Sequence, residues 1–466
     1  MGTENRRNFE SFLDNVFEVE AIKQNKSLSY REVLYTFEKL DIPTGSIVLI
    51  NLTNSKDLLM FFFGAIKSGL VPVIDTHTAL SERISELISA FGIKVVVKKG
   101  YTGNFKLPAT EIEIQDYKII KLHHDGILAK VGETIILTSG TSGFSSGCVF
   151  DFDTLLVNAQ KHIESIGIRN SEVMLINLPL MYSFSIVAQV LAAYLTKTKV
   201  IISALPFNAT EFISNIQKHG VTLTSLTPPL VKILLNTTLA LPETLRVITI
   251  GSSPIDTKSL KRIVKKYPYK EIYVTYGLTE AGPRVSTLAA HEADECRLRS
   301  VGLPLINTHV KLRDTKILGY KELIIRSETL MKRKIGLVEG SARDCNLQSQ
   351  ELATGDLFDI DSEGYMYYKG RLSDFILTKE GEKVSLASVK RILEEKHSYV
   401  LKAVTKIKKL NSIADTYTLK VIVNNPPKGF QTYIKAYMYK NFRKCEYPAN
   451  IEYSLVDNWQ CFKDGK

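Results

Sequence analysis

The sequence predicts an α/β protein: a large N-terminal domain of doubly wound sheets with a small β subdomain, followed by a small α+β C-terminal domain. Three observations carry this. Helical and strand patterns alternate from about residue 30 to residue 274, short strands with turn signals begin near Gly302, and the pattern changes again after Gly370-Arg371. Strands that alternate with helices build a sheet covered on both faces. The expected division is 1–370, with the β subdomain at about 302–370, and 371–466.

Residues 30–40 carry helical spacing, 47–52 form a β-rich run, 56–68 an amphipathic helix and 71–74 a strand. Strand runs follow at 95–97, 172–177, 200–203, 223–226, 247–250 and 271–274. The β subdomain is read from 308–312, 322–325 and 365–369. The last part offers a helix at 386–396, strands at 400–407 and 419–423, a helix at 430–442 and a strand at 451–456. In doubly wound sheets ligands collect beyond the carboxyl ends of the strands. Three polar loops sit at such ends: the end of the segment 134–147, Gly251-Ser252-Ser253-Pro254, and Tyr276-Gly277-Leu278-Thr279-Glu280.

Composition narrows the class. With 44% hydrophobic and 23% charged residues in 466, the chain is globular, neither disordered nor fibrous. The apolar stretches 58–66 and 176–195 are short or interrupted, the second by Pro179, so no membrane span is expected. The N-terminus lacks the apolar core of a signal peptide, which points to the cytoplasm. Cysteines at 148, 296, 345, 445 and 461 form no C-x-x-C pair, against a disulfide framework or a zinc cluster. The net charge is +11, and from Arg371 onward there are 18 Lys or Arg against 10 Asp or Glu. That basic segment is either a set of solvated faces or a surface that meets an anion; no basic run interleaved with aromatics marks a nucleic-acid platform.

The segment TIILTSGTSGFSSG, residues 134–147, is a β-type run ending in alternating hydroxyls and glycines. Glycine admits positive φ and close backbone approach, so main-chain N–H groups and the hydroxyls of Ser139, Thr141 and Ser142 can converge on one anion. Such a stretch is also the composition of a plain solvated turn, and its neighbours decide between the two.

Taken together, the loops resemble the adenylate-forming superfamily of acyl-CoA synthetases, aryl-acid ligases, peptide-synthetase adenylation domains and firefly luciferase. Residues 138–147 follow its phosphate loop S-[ST]-G-[ST]-T-G-x-P-K-G apart from the Pro-Lys pair; Tyr276 to Glu280 match Y-G-x-T-E; Thr354-Gly355-Asp356 match T-G-D; and Gly370 to Ile376 match the crossover G-R-x-x-D-x-I. Leu28 to Glu32, Gly69 to Val73 and Ser300 to Pro304 keep the same register, and the end, Gly465-Lys466, resembles the segment that carries the catalytic lysine.

The resemblance implies an enzyme in which a carboxylate attacks the α-phosphorus of ATP, giving acyl-AMP, before a thiol takes the acyl group. It implies that Thr138, Ser139, Gly140, Thr141, Ser142 and Gly143 bind ATP, wrapping its phosphates, that Thr279 meets the α-phosphate and that Glu280 holds Mg²⁺. Asp356 would accept from the ribose hydroxyls, Arg371 would reach ribose or phosphate, and Tyr276, Gly277 and Gly251, Ser252 and Ser253 would border the adenine. Lys466, Thr279, Glu280 and Arg371 form the implied catalytic set, and Ser373 the hinge of a mobile C-terminal lid. Tyr182, Ser183, Phe184 and Thr275 would border the acid.

Two departures stand out. Ser145 and Ser146 replace the loop's Pro-Lys, removing a positive charge beside the pyrophosphate, so weaker ATP handling is expected. Ser183 occupies the position of the aspartate that holds the ammonium in amino-acid-activating members, which argues against an α-amino acid and for an aryl or acyl one. The acceptor thiol is left as CoA or the phosphopantetheine of a carrier protein acting in trans. Two other readings stay open: a degenerate adenylate-binding protein, and a ligase that transfers to an amine.

Overall fold

The computed structural model describes residues 9–19, 28–78, 81–100, 107–138, 146–336, 345–346, 351–377, 382–410 and 414–456. Among them two eight-stranded sheets carry the N-terminal part. In one, Val16–Glu18, Lys199–Ile202, Val173–Ile176, Leu223–Leu226, Val247–Ile250 and Glu271–Gly277 run parallel. Arg284–Ala289 and Leu303–Pro304 then add antiparallel. In the other, Glu133–Thr138, Val71–Ile74, Ile47–Asn51 and Val95–Lys99 are parallel at the centre. Antiparallel strands flank them, with Ser146–Asp151 and Arg333–Ile335 on one side and Tyr117–Leu122 and Ala109–Ile114 on the other.

The parallel strands are short runs of Val, Ile and Leu buried at nearly every position, as a sheet covered on both faces requires. The helix Lys56–Lys67 differs from the amphipathic expectation. Leu58 to Ile66 are all buried, because the helix contacts Ile47–Asn51 and Val71–Ile74 of one sheet and Val16–Glu18 of the other. Filling the space between two sheets leaves no polar face. Ser55 caps its start by accepting from the Leu58 N–H at 3.1 Å.

Thr308–Asp314, Lys321–Ser327, Glu351–Ile360 and Met366–Arg371 form an antiparallel sheet, with Cys345–Asn346 beside Glu351–Ile360. Its register sets Asp356 directly across from Arg371. A further core gathers Ile376, Val389, Leu393, Tyr417, Leu419, Phe430, Ile434 and Met438. They come from strand Phe375–Leu377, helices Leu386–Lys396 and Phe430–Asn441 and the sheet Val400–Leu410, Ala414–Val423, Asn450–Leu455.

This C-terminal unit docks on helix Pro228–Leu235. Lys232, 5% exposed, donates to the carbonyls of Glu394 at 3.3 Å and Val400 at 3.2 Å, and pairs with Asp256 at 3.2 Å. Leu401 packs into the core of the neighbouring sheet. Among the described residues, no helix is long and apolar enough to cross a membrane.

Candidate active site

The loops after Val247–Ile250, Glu133–Thr138 and Glu271–Gly277 leave the carboxyl ends of strands, and most of the expected residues gather around the last of these. Tyr276 and Gly277 end that strand, which meets Arg284–Ala289 with a register shift at this point. A Cβ on Gly277 would lie 1.9 Å from the Pro283 carbonyl oxygen, so the close approach of the two strands requires glycine.

The first wall is polar and paired. Asp356 is 1% exposed; its Oδ2 accepts from the Tyr276 hydroxyl at 2.8 Å and its Oδ1 pairs with Arg371 Nε at 3.0 Å. The Thr354 hydroxyl accepts from the Asp356 N–H at 3.0 Å and fixes the turn. Burial, then the Asp356 charge, pushes the Tyr276 hydroxyl well above its ordinary value, so it remains a donor. The same carboxylate holds the Arg371 guanidinium firmly charged. Tyr276 also packs edge-on against Phe358, 4.8 Å between ring centroids.

Next along the chain, the Thr279 and Ser183 hydroxyls share a hydrogen bond of 3.0 Å. Glu280 is buried, and its Oε1 accepts from Lys334 Nζ at 2.7 Å. Lys334 belongs to Arg333–Ile335, whose register lays it opposite Cys148 and sets Ile335 opposite Gly147. Ser146 is thus a strand residue opposite Thr138, with the two hydroxyls 2.7 Å apart. Although Ser146 removes the expected lysine, a cation reaches the same neighbourhood from an adjoining strand.

The second wall is the floor formed by Gly251, Thr275, Phe184 and Arg284. A Cβ on Gly251 would sit 2.5 Å from Thr275 Oγ1 and 3.3 Å from both Arg284 Nη1 and Phe184 Cζ, so only glycine leaves these groups in place. Thr275 Oγ1 donates to the Ile250 carbonyl at 3.2 Å and accepts from Arg284 Nη1 at 2.6 Å. The guanidinium lies over the Phe184 ring, 4.1 Å from its centroid. Asn158 clamps the Arg284 backbone, accepting from its N–H and donating to its carbonyl, both at 2.9 Å. One turn beyond Asn158 on helix Phe152–Ile166, buried His162 is pushed well below its ordinary value, first by burial and then by the Arg284 charge, and so is neutral.

Of the expected residues, Thr138, Gly251, Tyr276, Gly277, Thr279, Glu280, Asp356 and Arg371 stand along this path, with Ser183, Phe184 and Thr275 beside it. Tyr182 is half-buried beside them; Ser252, at φ 75°, is exposed and Ser253 half-buried. Ser373 is exposed in the short turn Leu372–Asp374 that follows Arg371, a position free to change conformation. Ser139, Gly140, Thr141, Ser142, Gly143 and Lys466 lie outside the described residues. Arg284 and Lys334 were not anticipated. Their signals were a cation directly after the T-E-A-G-P turn, at the head of a mostly buried strand, and the run Lys332-Arg333-Lys334, which reads as a solvated face.

Two large sheets, an antiparallel subdomain and an α+β unit, with these loops at the strand ends, define the architecture of an adenylate-forming enzyme. The comparisons agree. The family model "AMP-binding enzyme" matches residues 19–333. The 2-succinylbenzoate–CoA ligase of Bacillus subtilis is 28% identical over 293 residues, 62% of this chain but only 57% of that ligase. The 4-coumarate–CoA ligase 3 of Arabidopsis thaliana is 25% identical over 403 residues, 79% of this chain and 71% of that enzyme. The structure of o-succinylbenzoate CoA synthetase from Bacillus subtilis with its acyl-adenylate intermediate superimposes with a TM-score of 0.73 at 20% identity, covering 96% of this chain and 94% of that one. The chain belongs to the AMP-binding enzymes, the adenylate-forming superfamily.

Proposed function

We propose that this protein uses ATP to activate a carboxylic acid, aryl or acyl and not an α-amino acid, and passes the acyl group to the thiol of CoA. The observation that carries it is the path from the Asp356–Arg371–Tyr276 group through Thr279 and Glu280 to a floor bordered by Ser183, which, among the described residues, stands where a carboxylate would be needed to receive an ammonium. Named relatives are CoA ligases of aryl acids.

In the first step a substrate carboxylate oxygen bonds to the α-phosphorus, and the bond to the bridging oxygen breaks to release pyrophosphate. Both reactants are anions, so the site must neutralise charge and align them. Asp356 accepts from the ribose hydroxyls, Arg371 orients the nucleotide, and Thr279 donates to the α-phosphate. Glu280 fits a hard cation, being a buried oxygen donor, and would hold Mg²⁺, which offsets phosphate charge when bound. Lys334 sits on that same carboxylate and contributes part of the positive charge that Ser146 withholds from the phosphates. Ser139 to Gly143 complete the phosphate loop, and Lys466 contacts the reacting groups from the lid, residues 371–466, which turns about Ser373. In the second step the thiol sulfur attacks the acyl carbon, AMP leaves, and the thiol proton passes to solvent. The basic lid favours an anionic acceptor, CoA or an acidic carrier protein. The unpaired cysteine pattern favours the cytoplasm.

Carboxylate-dependent exchange of labelled pyrophosphate into ATP tests the first step, over a broad panel of aryl and aliphatic acids. Exchange followed by CoA-dependent AMP release is expected. Nucleotide binding without exchange by any acid would instead mean a protein that has kept the fold and lost the chemistry.

A further inference from the structure

The Arg284 guanidinium is a buried cation with only one of its three nitrogens hydrogen-bonded. It is 3% exposed, and Nη1 donates to Thr275 Oγ1 at 2.6 Å. Nε and Nη2 are enclosed and have no hydrogen-bond partner. Among the described residues no carboxylate pairs with it. Burial alone, with no charge partner, pushes the group down to about 9, so it is still charged at neutral pH.

Nε–H and the nearer Nη2–H form the side-on edge of the guanidinium fork, two parallel donors at the spacing of the two oxygens of one carboxylate. The pair of donors left without a partner is therefore the pair that binds a carboxylate in bidentate fashion, once the groups that enclose it give way. The rest of the surroundings keep that edge in position. Thr275 holds the third nitrogen, Phe184 supports the flat face at 4.1 Å, and Asn158 clamps the backbone. Gly251 removes the one Cβ that would crowd Thr275 and Nη1. Neutral His162 adds no competing charge. Burying a cation with no partner is costly and has no structural return here, unlike Arg246, whose guanidinium ties Glu172 and Glu271 together. A ligand anion supplies the missing partner.

We propose that Arg284 is a specificity-determining residue, and that the acid activated by this enzyme carries a second carboxylate, remote from the reacting one, which seats on the Nε and Nη2 edge of Arg284. This rests on the adenylation reading for the reacting carboxyl: Thr279 is joined to Ser183, and Arg284 stacks on the next residue, Phe184, so the two ends of a diacid would meet different groups.

The test measures pyrophosphate exchange with unbranched and benzene dicarboxylic acids, each beside its half-amide, in wild type and Arg284→Met. Wild type is expected to prefer one diacid over its half-amide by about a hundredfold in kcat/KM, the worth of two charge-assisted hydrogen bonds, and Arg284→Met to abolish or invert that preference. Arg284→Lys, which keeps the charge without the fork, should retain only part of it. Exchange in which every diacid and half-amide agree within about threefold overturns the proposal and leaves the adenylation reading standing. Exchange with no acid overturns the adenylation reading, and Arg284 is then judged by thermal unfolding. Diacids should raise the wild-type midpoint more than half-amides do and leave Arg284→Met unmoved; equal shifts, or none, overturn the proposal. If Arg284→Met does not fold, the wild-type comparison of diacid with half-amide decides.

Discussion

Asp356 and Arg284 are charged side chains on opposite sides of Tyr276 and Thr275, 1% and 3% exposed, and they keep different company. Asp356 has a tyrosine hydroxyl and an arginine within 3.0 Å. Arg284 has one threonine oxygen and two idle donors. The first arrangement is self-sufficient; under the proposed function a nucleotide would meet a carboxylate already held in position. The second, under our proposal, would be completed by a ligand. The nucleotide is common to every turnover and can be met by a prearranged wall, whereas selecting one acid over others is sharper when the wrong acid leaves a buried donor pair unmet.

The comparison can be broken at either end. Asp356→Ala should have the largest effect, lowering kcat/KM for ATP by about a hundredfold or more, because ribose contacts and the Arg371 partner go together. Steady-state exchange kinetics read this directly, and a loss below about tenfold would mean that Asp356 is chiefly a structural turn residue. Next, Arg284→Met should stabilise the ligand-free protein by about 1–4 kcal/mol in urea unfolding, since an unpaired buried charge is exchanged for a similar apolar volume. Asp356→Ala should move the same measurement downward.

That gain has a pH signature. Burial holds the folded Arg284 at about 9, well below its ordinary value, so above pH 9 the unfolded chain binds more protons than the folded one. Below that pH both states hold the proton and the burial cost stands in full; above it wild-type stability rises relative to the variant. The advantage of Arg284→Met should shrink between pH 9 and about 10, by up to about 1.4 kcal/mol. A constant difference would sink the account of an unpaired cation.

Lys334→Met should weaken ATP by about tenfold, less than the loss at Asp356, because Lys334 supplements a phosphate site and does not form it. Unchanged ATP affinity with only lower stability would make the Lys334–Glu280 pair structural. The smallest effect is expected at Tyr276→Phe, about 1 kcal/mol in unfolding, as Asp356 loses a neutral donor and keeps Arg371.

Much of this was legible in sequence for a physical reason. Val-Ile-Leu runs bounded by polar loops marked the parallel strands, and the motif residues Tyr276, Thr279, Glu280, Asp356 and Arg371 sit where backbone geometry admits little variation, such as the glycine-dependent contact at Gly277. The helix Lys56–Lys67 was misread in character, because periodicity cannot tell a helix with one wet face from one enclosed by two sheets. Arg284 and Lys334 were missed for another cause. Both lie on antiparallel strands: Arg284–Ala289 folds back on Glu271–Gly277 just before it, and Arg333–Ile335 lies beside the distant Ser146–Asp151. The meaning of a cation there depends on what the sheet sets beside it, Thr275 in one case and Glu280 in the other.

Lys232 fastens the C-terminal unit to the rest of the protein. Its ammonium has three protons and three acceptors: the Glu394 and Val400 carbonyls belong to the C-terminal unit, while Asp256 belongs to the same part of the chain as Lys232 itself. Lifting the unit away exchanges two carbonyls for two waters and leaves the opposite charges still in contact. Separation would be opposed by a few kcal/mol of hydrogen bonding, by buried apolar area such as Leu401, and by the attraction between Lys232 and the Glu394 carboxylate across the seam. The same ammonium therefore faces a carboxylate on each side of the seam, Asp256 on its own side and Glu394 on the other.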